Sequence, residues 1–142
     1  MVIERERKED FDEIYDFIKT AFSTAEVADG NEQDFVKAIR NSVNYIPDLT
    51  LTAKENGEII GFIMLSRTEL LFDGKKSAAL NLGPVAVKRE LRSKGVGSAL
   101  MRESLARAKE LGGESVFLAG NPKFYSRFSF VPAAEYGIKC NV

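Results

Sequence analysis

Residues 78–97 place an apolar strand, a short basic loop and the start of a helix in direct succession, which limits the choice of fold. Residues 78–87 read AALNLGPVAV, an apolar run that predicts a strand interrupted at Gly83-Pro84. Proline cannot donate to a strand ladder and glycine weakens it, so we expect a bulge or kink there. Residues 88–97 then read KRELRSKGVG. A basic, glycine-containing loop before a helix can present backbone N–H groups and the positive end of a helix dipole to a phosphate.

Two interpretations of this loop stay open. A phosphate cradle needs glycine, which lets the backbone approach a ligand without a Cβ in the way, and Arg92 and Lys94 can add side-chain charge. The alternative is a glycine-bearing turn that leads into an ordinary helix, and a lone G-x-G does not exclude it. A P-loop is excluded because no Gly-Lys-Ser/Thr follows, and a dinucleotide fold is disfavoured because the third glycine is missing and the preceding strands look antiparallel.

Hydrophobic periodicity predicts the other elements. Apolar residues at helical spacing predict helices over residues 11–22, 32–41 and 96–111. Alternation and short apolar runs predict strands over residues 49–53, 59–65, 78–87, 115–119 and 128–131, and a further helix can start at Asn121-Pro122. The pairs Asn56-Gly57 and Asp73-Gly74 are typical of hairpin turns, the first of type I′. With a first strand near the N-terminus, the order β-α-α-β-β-β-α-β-α-β predicts a mixed α/β (α+β) layer structure.

The same patterns assign particular side chains. Asp10-x-x-Glu13 resembles a capping box at the start of the first helix. In the second helix, Phe35, Val36 and Ile39 are expected to face inward. On the third helix, the predicted buried face comprises Val96, Leu100, Met101, Leu105, Ala108 and Leu111, with the small residues Gly97 and Ser104 within it.

The composition excludes several kinds of chemistry. The chain has 142 residues, 44% of them hydrophobic, so we expect one domain over residues 1–142. No histidine and one cysteine, Cys140, exclude an internal disulfide, a Cys/His zinc site and any nucleophile activated by histidine, and no metal is expected. No apolar run reaches the length of a membrane span, and the N-terminus lacks the apolar region of a signal peptide. We therefore expect a cytoplasmic protein with no membrane partner.

The charge is balanced overall but polarised along the chain. The net charge of −1 gives no support for nucleic acid as a partner. Residues 1–30 carry 4 basic and 9 acidic side chains, a net −5, whereas residues 88–109 carry 7 basic and 2 acidic side chains, a net +5. Either block can be a solvated helix face, but the positive block also suits a small polyanionic ligand.

Two segments resemble motifs of the GCN5-related N-acetyltransferase (GNAT) superfamily. Residues 82–87 (LGPVAV), followed by residues 92–97 (RSKGVG), are similar to the family's acetyl-CoA motif, Q/R-x-x-G-x-G/A after a bulged strand. Residues 124–130 (FYSRFSF) resemble its F-Y-x-x-x-G-F segment, with Ser129 in place of glycine. The resemblance covers nearly the whole chain. It implies a mixed, mostly antiparallel central sheet with helices on both faces and splayed fourth and fifth strands.

The resemblance also implies a site for acetyl-CoA. The backbone of Val85 and Val87, around Ala86, would bind the acetyl carbonyl and the pantetheine arm. The pyrophosphate would lie on the amides of Arg92, Ser93, Lys94, Gly95, Val96 and Gly97, with Ser98 joining them. Asn121 occupies a place from which a side chain often reaches the pantetheine. Tyr125 matches the tyrosine that protonates the departing thiolate, and its alternative role is that of an aromatic core residue.

The implied reaction is the transfer of an acetyl group to a primary amine by direct attack in a ternary complex. Because a thiol has a pKa of about 8.5 and a lysine amine one of about 10.4, a proton must leave the amine and another must reach the sulfur. The base is unassigned, since the fourth strand offers only Asn81 where many relatives have glutamate. Glu26, Asp29 or Glu32 could attract or deprotonate the amine, or could equally be surface charges. The alternative function is a non-catalytic module that binds or senses acyl-CoA.

The end of the chain differs from the family pattern. Relatives usually continue into a seventh strand, whereas this sequence stops at Val142, so the domain is expected to lack that strand. A homodimer is one way to cover the sheet edge left open. The amine acceptor, whether a small molecule, a peptide or a protein, is not specified by any motif.

Overall fold

The computed structural model describes residues 1–23, 30–112 and 115–118. Its strands are β1 (Val2–Arg5), β2 (Thr50–Glu55), β3 (Glu58–Phe72), β4 (Lys75–Val87) and β5 (Val116–Phe117). Its helices are α1 (Phe11–Phe22), α2 (Glu32–Arg40) and α3 (Val96–Glu110). The predicted fold class is confirmed, while the predicted strand at residues 128–131 and the helix start at Asn121-Pro122 lie outside the described residues.

The strands form one mixed sheet in the order β1-β2-β3-β4-β5. Neighbours pair antiparallel from β1 to β4, and β4 pairs parallel with β5. Both predicted hairpin turns are confirmed, since φ is positive at Asn56, Gly57, Asp73 and Gly74. Positive φ at both central residues matches the right-handed twist of the flanking strands.

Helices cover both faces of the sheet. On one face, α3 buries Leu100 and Met101 against Leu51, Ile63 and Leu82. On the other face, α1 and α2 bury residues against β3 and β4; this second cluster comprises Ile14, Ile18, Ala21, Val36, Ile59, Phe62, Met64 and Ala86. The loop between β4 and α3 therefore runs from the sheet to the face that carries α3.

Three side-chain predictions were wrong. Asp10 makes no capping bond to α1, because its carboxylate instead accepts a hydrogen bond from Nζ of Lys54 at 2.5 Å. Phe35 is 40% exposed, because α2 turns Val36 towards the core and leaves the side chain of Phe35 at the edge of its buried face. Leu111 is 55% exposed, because α3 ends at Glu110 and its last turn extends beyond the sheet.

The predicted bounds of the central hairpin were too short. β3 continues to Phe72 and β4 starts at Lys75, whereas the apolar patterns indicated strands over residues 59–65 and 78–87. The added part of β3, residues 66–72, pairs with residues 75–81 of β4 across the Asp73-Gly74 turn. The polar residues at 66–69 and 75–77 interrupt the apolar patterns from which the shorter bounds were predicted. Among the helices that the structure describes, none has the length and apolar character needed to cross a membrane.

Candidate active site

The break predicted in β4 is a β-bulge. Ile63 pairs with Val85 and Leu65 pairs with Leu82, so two residues of β4, Gly83 and Pro84, lie opposite the single residue between them on β3. A bulge adds one residue to a strand and changes the side to which the following residues point. Accordingly Leu82 and Val85 both pack on the α3 face, although three positions separate them.

The bulge also determines where the backbone groups after it point. The amide of Lys88 donates a hydrogen bond to the carbonyl of Ile60 at 2.9 Å, so these two residues form a hydrogen-bonded pair of the β3–β4 ladder. Paired and unpaired positions alternate in an antiparallel ladder. Val85 and Val87 thus occupy the unpaired positions, and their N–H and C=O groups point away from β3, towards the β5 side.

β4 and β5 pair over a short length. In the part of the chain that the structure describes, the pairs are Leu80 with Val116 and Asn81 with Phe117, supported by a hydrogen bond from the Leu80 amide to the Ser115 carbonyl at 2.8 Å. Both pairs precede the bulge. The backbone groups of Val85 and Val87 therefore lie beyond the β4–β5 pairing that is described, and the residues after 118, on which the predicted splay depends, lie outside the described residues.

The loop after β4 brings a helix N-terminus next to this edge. A 3₁₀ turn (Arg89–Leu91) leads into Ser93 and Gly95, whose φ values of 64° and 91° turn the chain into α3. The amides of Arg92 and Lys94 donate to carbonyls within the loop at 3.3 Å. These two amides therefore already have acceptors within the loop. The prediction had assigned them to the pyrophosphate, together with the other amides of residues 92–97.

The first turn of α3 keeps its amides available. An α-helix leaves its first N–H groups without intrahelical acceptors, and no side chain of the described residues caps this one. The amides of Val96, Gly97 and Ser98 thus point out of the helix N-terminus. Together with the helix dipole they form a site suited to an anion.

The basic side chains near the loop have different partners. The guanidinium of Arg92 donates a hydrogen bond to the carbonyl of Ala21 at 2.6 Å, so this side chain contacts α1 rather than the first turn of α3. Lys88 forms an ion pair with Glu58 at 2.6 Å, and this hydrogen bond raises the pKa of Lys88. Lys94 is exposed. Both side chains expected to add charge to the loop are exposed, but Arg92 is also held by its hydrogen bond to α1.

One residue of this site was not found by sequence reasoning. Gly61, near the start of β3, lies directly beneath the first turn of α3 and pairs with Val87. The signal was a single glycine within the apolar run at residues 59–65, a pattern that indicates a bulge or a close backbone approach.

Some of the remaining predicted site residues lie within the described residues and others lie outside them. Tyr125 and Asn121 lie outside the described residues, as do Glu26 and Asp29. Asn81 lies in β4 just before the bulge, and Glu32 is the first residue of α2. Among the described residues, no group of three or more His, Cys, Asp or Glu side chains could hold a metal ion.

Comparison with known proteins identifies the family. The family model for the acetyltransferase (GNAT) domain matches residues 3–133. The chain therefore belongs to the GNAT acetyltransferases, as its motifs indicated. The N-acetyltransferase YjhQ of Escherichia coli is 31% identical over 105 residues, which cover 72% of this chain and 57% of YjhQ. YhbS of the same species is 30% identical over 86 residues, covering 61% of this chain and 50% of YhbS.

Solved structures agree with this assignment. A GNAT family acetyltransferase from Brucella melitensis, crystallised with acetyl-CoA, has a TM-score of 0.81 at 29% identity, covering 93% of this chain and 83% of that one. The crystal structure of E. coli YhbS with CoA has a TM-score of 0.83 at 25% identity, covering 99% of this chain and 74% of YhbS. In the sequence matches, the chain spans about half the length of its curated relatives.

Proposed function

We propose that this chain transfers an acetyl group from acetyl-CoA to a primary amine by direct attack in a ternary complex. The observation that carries the proposal is the juxtaposition of two sets of backbone groups. The unpaired positions at Val85 and Val87 follow the bulge, and a loop of eight residues joins Val87 to Val96, where the open amides of α3 begin. A ligand with a diphosphate at one end and an acyl group at the other suits this arrangement.

The donor groups present fit acetyl-CoA. The amides of Val96, Gly97 and Ser98 at a helix N-terminus are suited to the pyrophosphate. The backbone of Val85 and Val87 can bind the pantetheine arm and the acetyl carbonyl, with Ala86 buried between them to fix the strand. The bound thioester would supply an activated acetyl group. A backbone N–H directed at its carbonyl oxygen stabilises the negative charge that develops during attack, and losing such a donor costs about 3 kcal/mol.

The reaction requires that two protons be managed. The amine nitrogen forms a bond to the acetyl carbon as the carbon–sulfur bond breaks, so the nitrogen loses a proton and the sulfur gains one. We assign the second role to Tyr125, from its position in the motif at residues 124–130. Asn81 on β4 cannot accept the proton from the amine. The other candidates are the acidic residues Glu26, Asp29 and Glu32 in or beside the α1–α2 connection, and we assign the base to none of them.

A cationic amine is the acceptor that the charge distribution favours. Part of the acidic N-terminal block is used internally, since Glu6 pairs with Arg40 and Asp10 pairs with Lys54. Asp12, Glu13 and Asp16 remain exposed along α1, which leads to the α1–α2 connection. This surface charge would attract a protonated amine before it loses its proton.

The test is acetyl transfer by the whole chain to a panel of amines, comparing the wild type with Tyr125→Phe and Tyr15→Phe. Tyr15→Phe is a matched control because it removes the same hydroxyl group at a different place. The hydroxyl of Tyr15 donates to Asp34 at 2.8 Å, on the face of the sheet that carries α1 and α2. We expect Tyr125→Phe to lower kcat at least about tenfold with acetyl-CoA affinity retained, and Tyr15→Phe to keep the wild-type rate. Binding of acetyl-CoA without transfer to any amine would refute the enzyme and support a binding or sensing module.

A further inference from the structure

We propose that Gly61 is a positioning residue for acetyl-CoA: its lack of a side chain determines how closely the first turn of α3 approaches the sheet. The inference rests on the proposed function, because the first turn of α3 is the proposed pyrophosphate site. Gly61 itself contacts no ligand in this account. It acts through Val96, the residue with which α3 begins.

The space above Gly61 is filled by α3. A Cβ at this position would lie 2.8 Å from Cγ1 of Val96, 2.8 Å from Cδ1 of Leu100 and 3.4 Å from Cβ of Ala53. Carbon atoms in van der Waals contact are about 3.5 to 4.0 Å apart. The φ of Gly61 lies outside the left-handed region, so alanine could adopt the backbone conformation and only its methyl group would conflict.

The two close neighbours differ in how they can respond. Cδ1 of Leu100 is the far end of a flexible side chain and can rotate away. Val96 is β-branched and stiff at χ1, so its Cγ1 is less free to rotate away than the end of Leu100. Val96 is also buried, at 7% exposure, and packs in the core cluster on this face of the sheet. A Cβ at 2.8 Å from Cγ1 of Val96 is about 0.7 to 1.2 Å too close, so a methyl group at position 61 would lift the first turn of α3 by up to about 1 Å.

That displacement would act on the proposed site directly. The amide of Val96 is one of the three at the helix N-terminus, and Gly61 is also the ladder partner of Val87 on β4. Gly61 thus lies between the two parts of the proposed site, the first turn of α3 and the end of β4. If the first turn of α3 moved away from β4, the hydrogen bonds from its amides to a ligand bound at both parts would become longer or misaligned. Hydrogen bonds weaken steeply with poor geometry.

The test compares acetyl-CoA affinity by calorimetry in Gly61→Ala and in the control Ile14→Val. Ile14 is fully buried on the opposite face of the sheet, so its variant loses stability without moving α3. We expect Gly61→Ala to bind acetyl-CoA about tenfold more weakly and Ile14→Val to bind as the wild type does. Equal affinities in the two variants would overturn the proposal.

Two further variants separate positioning from general damage to the core. In Gly61→Ala/Val96→Ala the new methyl occupies the space vacated by the valine, so affinity should return to within about threefold of the wild type. Val96→Ala alone keeps the amide but removes the contact, and we expect about threefold weaker binding, a result that remains informative if Gly61→Ala fails to fold. No recovery in the double variant, or unchanged affinity in Val96→Ala, contradicts the proposal. If the wild type does not bind acetyl-CoA, the proposed function fails instead.

Discussion

The guanidinium of Arg92 donates a hydrogen bond to the carbonyl oxygen of Ala21 across 2.6 Å. Arg92 lies in the loop before α3, and Ala21 lies in the last turn of α1, where carbonyl groups lack intrahelical donors. The cation is also favourably placed at the negative end of the α1 dipole. This contact joins the loop of the proposed cofactor site to the end of a helix that packs on the other face of the sheet.

Removing that contact should loosen the end of α1. In Arg92→Ala we expect faster amide exchange at residues 20–23 and a free energy of unfolding lower by about 1 kcal/mol, because the Ala21 carbonyl loses a charged donor. Lys94→Ala removes the same charge from the same loop and is the control. Exchange that accelerates equally in both variants would show that charge, and not the contact with Ala21, is responsible.

A buried ion pair joins the residue that follows β1 to the last residue of α2. The side chains of Glu6 and Arg40 are only 1% and 11% exposed, and the guanidinium donates to the carboxylate at 2.6 and 3.0 Å. Arg40→Met leaves the Glu6 charge without its cation, so we expect urea denaturation to report a loss of about 3 to 5 kcal/mol. Glu6→Gln/Arg40→Met removes both charges and should recover part of that loss. A double variant as unstable as the single one would contradict this explanation.

Tyr45 should make stability depend on alkaline pH. Burial, with a hydrogen bond to Glu6 at 2.6 Å, raises the pKa of Tyr45 above its ordinary value of 10.0. Above pH 10 the unfolded chain loses this proton while the folded chain keeps it, so the free energy of unfolding falls as the pH rises. Tyr45→Phe should be less stable at pH 7 but show a shallower decline between about pH 9.5 and 11. Parallel declines in the two proteins would exclude the contribution.

Two buried threonines on β2 should respond oppositely to valine. Thr50 and Thr52 are both fully buried, but Oγ1 of Thr50 donates to the Ile46 carbonyl at 3.0 Å, whereas Oγ1 of Thr52 has no partner among the described residues. In thermal unfolding, Thr50→Val should lose about 1 kcal/mol and Thr52→Val should gain about as much. Losses of similar size in both would indicate that the Thr52 hydroxyl is hydrogen-bonded.

Local sequence patterns were sufficient for much of the fold. The bulge at Gly83-Pro84 and the turn at Asn56-Gly57 were predicted because each depends on the backbone preferences of the residues that form it. A helix that follows the glycine-containing loop was predicted as well, with Val96 on its buried face. The exposure of Phe35 was missed because the edge of a helix face depends on how far the neighbouring helix extends.

The site was predicted less completely, since part of it depends on contacts between distant residues. The amides at Val96 and Gly97 follow from a local glycine loop. The direction of the Arg92 side chain depends on where α1 ends, and the role of Gly61 depends on how α3 packs on β3. Neither relationship leaves a signal in the neighbouring sequence beyond the residue type itself.

The central claim is that the first turn of α3 binds acetyl-CoA. The most direct measurement is amide hydrogen exchange of the whole chain with and without acetyl-CoA, beside an NADH control. With ligand at about 100 times its Kd, we predict that exchange at Val96, Gly97 and Ser98 slows at least about tenfold and that NADH has no such effect. Unchanged exchange at these three amides in the presence of bound acetyl-CoA would contradict the account.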